Sequence, residues 1–312
     1  MLHVCNNSSI LQKLPQKKYN VSYYNTKDQM RDILYGFISG FDADCESQQT
    51  GVFMTVLGVI GGSGIYDIPG LDITDSVKLT TPYGEPSDLY RIGKSGGTGV
   101  AFLPRHGSMH HIQPHKINYR ANIWGFREIG VKKILSIGAS GGITVEPGSI
   151  VVPDQIIDMT SGRDSTFHDE EEVVHVDFTA PFCPDLRQHI FAASENAGIR
   201  IKRKGTYICV SGPRLETAAE IRAFSLLGAD MVGMTGMPEA VLARELEICF
   251  AAVSIITNHA AGISGEKLTA TEVAESMKAS AEKIKGLLKA FFAMDFSASA
   301  CSCGQALRDA RM

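Results

Sequence analysis

The sequence is short of several things that mark common protein classes, and each shortage narrows what the chain does. No run approaches the roughly eighteen apolar residues that a membrane-crossing helix needs, although 44% of the 312 residues are hydrophobic. The start carries no basic segment followed by an apolar run, so no secretory signal is legible and a cytoplasmic chain without a membrane partner is expected. Charge excess is missing too. Thirty Lys and Arg face 34 Asp and Glu, a net charge of −4, which gives no electrostatic reason to expect nucleic acid. The seven cysteines lack the C-x-x-C…C-x-x-C spacing of a zinc site. Cys183, Cys209 and Cys249 stand in apolar surroundings and read as buried, reduced thiols, while Cys301 and Cys303 form a C-x-C pair near the end. Carboxylates are absent around His106, His110, His111 and His115, and Gly107 and Pro114 break any helix there, so this histidine cluster does not read as a metal site.

What is present has a clear order. Residues 1–53 are rich in Asn, Gln, Lys and Ser with a weak helical pattern near Met30–Phe41, and read as a poorly packed extension. From Met54, short apolar runs bounded by Gly or Pro alternate with helical spacings. Thr55–Ile60, Gly99–Leu103, Lys133–Ile137, Ser149–Val152, Thr206–Val210, Asp230–Met234 and Phe250–Ile256 read as buried strands. Asn118–Ile129, Asp185–Ala197, Thr217–Leu227, Pro238–Leu246 and Ala270–Phe292 read as helices. Thr217 and Thr269, each three residues before a Glu, are capping boxes, and Pro238 suits a first helical position. Such alternation predicts an α/β fold: one domain over 54–293, three layers α/β/α around a twisted mixed sheet, followed by a loose tail over 294–312.

In a sheet of this kind ligands sit beyond the carboxyl ends of the strands, so the strand-to-helix corners carry the functional argument. Gly61-Gly62-Ser63-Gly64 is either a plain tight turn or a loop whose backbone N–H groups and Ser63 hydroxyl meet an anion. As a dinucleotide fingerprint it fails, because Asp67 stands where the third glycine belongs. Arg105-His106-Gly107 offers charge and several donors at a strand end. Gly138-Ala139-Ser140-Gly141-Gly142 is small enough to floor a pocket. Glu216 falls at a helix entrance, where a carboxylate is expected to stay ionised and so to select a ligand edge bearing donors. Met234 offers a soft apolar surface and Thr235 a hydroxyl at a helix start, a ready anion site. Asn258, with His259 and Ala260, ends a strand of unbroken hydrophobicity, and an Asn there needs a partner.

Taken together, Gly61-Gly62-Ser63-Gly64, Arg105-His106-Gly107, Asn118-Tyr119-Arg120-Ala121-Asn122-Ile123-Trp124, Gly212-Pro213-Arg214 and Met234-Thr235-x-x-Pro238-Glu239 resemble the methylthioadenosine phosphorylase branch of the purine nucleoside phosphorylases. The resemblance implies a homotrimer or a dimer of trimers acting on a purine nucleoside and phosphate, with no metal or organic cofactor. It assigns Ser63, Arg105, His106, Ala139 and Thr235 to phosphate, Met234 to the ribose, and Glu216 and Asn258 to the base, with His259 and Ala260 beside them. His175 is implied to reach a neighbouring subunit's site, and Leu268 and Ala270 to line the 5′ pocket. Asn258 and His106 are the expected catalytic residues. Adenine-specific members of the family carry acidic residues where this chain has Asn258 and Ala260, and a small polar residue where it has Glu216. The departures point to a 6-oxopurine, whose N1–H can donate to a carboxylate; adenine would present an acceptor there.

Overall fold

The computed structural model describes residues 57–312 apart from 69, 170, 171, 266, 298 and 299. The expectation for residues 1–53 lies outside the described residues. Among the described residues ten strands form one mixed sheet: β1 (Leu57–Gly61), β2 (Asp72–Val77), β3 (Tyr90–Ser95), β4 (Thr98–Pro104), β5 (Lys133–Gly142), β6 (Ile150–Val151), β7 (Gln155–Met159), β8 (Thr206–Val210), β9 (Met231–Gly233) and β10 (Cys249–His259). Five helices cover it: α1 (Tyr119–Glu128), α2 (Pro184–Asn196), α3 (Ala218–Leu226), α4 (Gly236–Glu245) and α5 (Ala270–Phe292). The three layers follow from the side-chain alternation of the central strands. Leu57, Val59, Val100, Phe102, Leu135, Ile137, Val253 and Ile255 join α2 and α5 in one core. Ile60, Ala101, Leu103, Ile134 and Phe250 join α1 and α4 in a second core on the opposite face.

The helices begin where the sequence places them. Thr217 and Glu220 form a complete capping box, with the Glu220 amide donating to Thr217 Oγ1 at 3.1 Å and the Thr217 amide donating to Glu220 Oε2 at 2.7 Å. At α5 one half of the box is seen, the Glu272 amide on Thr269 Oγ1 at 3.2 Å. In α4 regular geometry starts only at Pro238, because Met237 is extended at φ −115° and ψ 135°.

Strand β5 runs past its expected end at Ile137. The small residues Gly138–Gly142, read as a corner, are strand instead, and they carry β5 on to Gly142. This extension forks the sheet. Through Ile137 one edge of β5 pairs with β1 in parallel, Gly61 with Ile137 being the last pair. Farther on, Gly141 and Gly142 pair antiparallel with Val232 and Met231 of β9, while β10 follows the other edge throughout. Between the end of β1 and the start of β9 the sheet is open. Gly142 has to lack a Cβ here, since one would stand 1.9 Å from the Val145 carbonyl oxygen.

Strands β2, β3 and β7 are absent from the sequence-based expectation. Strand β2 is polar and largely exposed, pairing only with β3 at the rim, and β7 pairs only with β8 at the other rim. Strand β2 buries little and carries no apolar pattern to read, whereas β3 lies inside the sheet with Tyr90, Gly93 and Ser95 buried, and β7 holds the half-buried Ile156 and Ile157 in a run of five residues. The described residues of 294–312, a segment expected to be loose, instead pack onto the domain. Phe296 and Cys303 are buried in the α2/α5 core, the Leu307 amide donates to Glu247 Oε1 at 3.2 Å, and Val174 and Arg311 form an antiparallel bridge.

Candidate active site

The fork opens into a cleft of about 210 Å³, smaller than the ~300–1,000 Å³ span of small-molecule sites, with an open mouth toward solvent. Seven stretches of the chain converge on it, carrying Ser63, Arg105, His106, Ala139, Glu216, Met234, Thr235, Asn258, Ala260 and Leu268 to one wall or another. Three expected residues stand elsewhere. Ala270 is exposed at the start of α5 and Val273, one turn on, lines the cleft in its place. His259 turns its ring toward Glu146, with Nε2 at 3.5 Å from the carboxylate. His175 is exposed, its amide donating to the Ala310 carbonyl at 2.8 Å.

At the β1 corner the Gly62 amide donates to the Ile137 carbonyl at 2.8 Å and the Ile65 amide closes a turn on the Gly62 carbonyl at 3.0 Å. The N–H of Gly62 is therefore spent on β5, while the Ser63 hydroxyl, half-buried at the cleft, is a donor this corner offers. Gly64 takes φ +79°, which the turn requires. The next element is strand β2, so the loop opens no helix and lacks the context of a dinucleotide fingerprint.

Arg105 has only 1% of its surface exposed, and so has Glu239 of α4. Arg105 Nη1 donates to both Glu239 carboxylate oxygens at 2.7 Å and to Ser136 Oγ at 3.0 Å, and Nη2 donates to the Ile137 carbonyl at 2.5 Å. Ser136 Oγ also donates to Glu239 Oε2 at 2.8 Å. The guanidinium thus lies directly beneath the β1 turn; a Cβ on Gly62 would come within 2.8 Å of Nη2. Much of its charge is met by Glu239, a partner 134 residues away that the sequence reading placed in a motif without a task.

His106 Nδ1 stands 2.8 Å from the Ile112 carbonyl, an oxygen that can only accept, so Nδ1 carries the proton and Nε2 is left as an acceptor. Burial, with the positive charge of Arg105 beside it, pushes its pKa down to about 4. The ring is neutral at pH 7.

At Glu216 the shift runs opposite to the one a helix entrance favours. Burial raises its pKa above the usual carboxylate range and the nearby Glu220 adds to the rise, against smaller opposing effects of its own backbone N–H and of Arg214. Asn258 is buried and already oriented: its Oδ1 accepts from Thr257 Oγ1 at 2.7 Å and its Nδ2 donates to the His259 carbonyl at 2.7 Å. One amide hydrogen and one lone pair stay open to a ligand. Thr235 precedes α4 and its hydroxyl makes no capping bond. Met234 lies against Gly212, where φ is +63° and a Cβ would meet Met234 Sδ at 2.5 Å.

Arg163 is a positioning residue that no sequence signal revealed. Its guanidinium donates to the carbonyls of Met237 at 2.5 Å and Ser211 at 2.9 Å, tying the two corners that carry Met234 and Glu216. Both acceptors are backbone atoms, which leave no imprint on side-chain pattern.

Residues 56–293 match the family model described as the phosphorylase superfamily. Over 266 residues the chain is 48% identical to a protein of Pyrococcus furiosus named 6-oxopurine nucleoside phosphorylase, covering 82% of this chain and 99% of that one. It is equally 48% identical to a probable S-methyl-5'-thioinosine phosphorylase of Thermodesulfovibrio yellowstonii, over 81% and 96% of the two chains. Among solved structures, methylthioadenosine phosphorylase from Schistosoma mansoni in complex with adenine is similar with a TM-score of 0.78 at 29% identity, covering 82% of this chain and 99% of that one. A methylthioadenosine phosphorylase from an antarctic soil metagenomic library gives 0.77 at 36% identity, over 83% and 93%. No described helix is long and apolar enough to cross a membrane.

Proposed function

The chain belongs to the phosphorylase superfamily, and from that premise we propose that it is a purine nucleoside phosphorylase, a pentosyltransferase that cleaves inosine and guanosine with inorganic phosphate to the free base and ribose 1-phosphate. The observation that carries the reading is the pairing of Glu216 and Asn258 in one cleft with Ser63, Arg105, His106 and Thr235. The first two suit a purine edge that both donates and accepts; the other four suit an oxyanion.

Phosphate sits where the Ser63 and Thr235 hydroxyls, the Ala139 backbone and His106 converge, above the Arg105 guanidinium. With Nε2 unprotonated, His106 accepts a hydrogen bond from the P–OH of the monohydrogen phosphate ion. Held under the ribose, which rests on Met234, phosphate attacks C1′ as the glycosidic bond breaks through an oxocarbenium-like state. Asn258 donates to the purine as negative charge develops on it. Glu216 in its ionised form accepts from N1–H, and from the 2-amino group of guanine. Adenine would set a bare N1 acceptor against that carboxylate, a mismatch worth about 1–3 kcal/mol or more when buried. Phosphate is a co-substrate and the reaction uses no metal or organic cofactor. The working unit is a cytoplasmic homotrimer or dimer of trimers, His175 reaching the cleft of a neighbouring copy near the sugar 5′ position.

A second substrate, 5′-methylthioinosine, is favoured by one observation: the cleft wall carries the apolar Leu268 and Val273. Initial rates with guanosine, inosine, methylthioinosine and methylthioadenosine, each with and without phosphate, test both readings. Phosphate-dependent release of hypoxanthine or guanine is expected, with methylthioadenosine slowest. If methylthioadenosine were the fastest substrate, the assigned role of Glu216 would be wrong.

A further inference from the structure

At the amino end of β10, far from the cleft, four cysteines meet. Cys183 caps α2, Cys249 opens β10, and Cys301 and Cys303 come from the tail. Their four sulfur atoms all lie within 4.8 Å of one another, and Cys249 Sγ is 3.4 Å from Cys301 Sγ. Cys183 and Cys303 are buried to within 3% and Cys249 to within 6%. From Cys249 to Asn258 is nine residues of strand, about 30 Å at ~3.3 Å per residue, so the cluster is separate from the cleft.

We propose that Cys183, Cys249, Cys301 and Cys303 form a tetrathiolate site for one Zn²⁺ ion, which staples the tail to the start of β10 and the start of α2. A Zn–S bond of about 2.3 Å sets the edges of a ZnS₄ tetrahedron at about 3.8 Å, close to the separations already present. The ligand set is all sulfur, which suits a borderline-soft ion that takes four ligands and closes its coordination. Four thiolates around a divalent ion leave two negative charges to be met. The first turn of α2 meets part of them: the Leu186 amide donates to Cys183 Sγ at 3.4 Å, with the positive end of the helix behind it. Arg244 lends further positive charge toward Cys303. The spacing hid the site, because the ligands are separated by 66 and 52 residues before the closing C-x-C.

The test uses the full chain, purified under reductant, stripped of metal and titrated with Co²⁺ and then Zn²⁺. One equivalent of Co²⁺ is expected to give the intense visible bands and near-ultraviolet charge-transfer band of a tetrahedral thiolate complex, and Zn²⁺ to bleach them. The Cys301→Ser, Cys303→Ser double variant is expected to lose these bands, while Cys5→Ser, Cys45→Ser keeps them. Absence of the bands in the wild-type chain, their retention in the Cys301/Cys303 variant, or mapping of the four cysteines as two disulfides in protein kept under reductant would each overturn the proposal. The wild-type titration decides the matter even where the double variant fails to fold.

Discussion

Replacing Glu239 by Gln tests how the cleft manages its buried positive charge. The substitution keeps the size of the side chain and leaves an oxygen to accept from Arg105 Nη1; what it removes is the negative charge. Both partners are about 99% buried, so little water is at hand to take over. Breaking such a pair costs about 3–5 kcal/mol, a large part of the ~5–15 kcal/mol that holds a domain together. At about 2–4 °C per kcal/mol for a domain of this size, the melting temperature is expected to fall by roughly 6–20 °C. Phosphate should then matter more to the variant than to the wild type, because an unneutralised guanidinium beneath the β1 turn attracts a dianion more strongly. Each tenfold gain in phosphate affinity adds about 1.4 kcal/mol of stabilisation at saturating phosphate. The assay is thermal unfolding across a phosphate titration. A loss below about 1 kcal/mol, or a phosphate-induced rise equal to that of the wild type, would refute the picture of Arg105 as a charge held between Glu239 and the anion.

Three further outcomes are expected. Glu216 has a raised pKa in the folded chain, so its ionised form is destabilising at neutral pH and that strain is relieved as pH falls through the folded value. Substrate binding needs the ionised form, hence kcat/KM for inosine should fall on acidification with a midpoint above that of an ordinary carboxylate; in Glu216→Gln this limb should vanish without loss of stability, and an unchanged limb would count against the assignment. His106, with a pKa pushed down to about 4, should show no imidazole titration by NMR between pH 5 and pH 8; because its folded pKa lies below the unfolded one, its contribution to stability is full above about pH 6.5 and fades as the pH drops toward 4. Asn258→Ala should lower turnover on inosine by about 10²-fold or more alongside a stability loss of about 1–3 kcal/mol from the two hydrogen bonds it removes, and an unchanged rate would end its role as the donor to the leaving purine.

How much of this was legible in the sequence depends on the range of the interaction. Helix starts rest on contacts three residues apart, and Thr217 with Glu220 could be read directly. The corners carrying Ser63, His106, Met234 and Asn258 were legible because an abrupt change from apolar to small or polar residues marks where a strand leaves the core. The continuation of β5 through Gly138–Gly142 was not, since glycine and serine there serve close backbone approach and suppress the apolar signal of a strand. Pairings between distant residues stayed hidden for a different reason. Glu239 stood in a motif without a task until the fold set it on Arg105, and Cys301 and Cys303 read as a tail until they met Cys183 and Cys249.

The fork in the sheet also dictates when the protein can fold on the ribosome. Strand β5 is the shared neighbour of β1, β9 and β10, and β10 begins 116 residues after β5 does. The centre of the sheet therefore stays incomplete, with one edge of β5 unpaired, until Cys249–His259 has left the exit tunnel. By then more than four-fifths of the chain has been made, and several of the most apolar strands have been waiting for their partner. Closing such distant pairings is slow, and unpaired apolar edges invite association with other chains. Nascent chains stalled before β10 should accordingly be caught by holdase chaperones, whereas chains stalled just after it should be released.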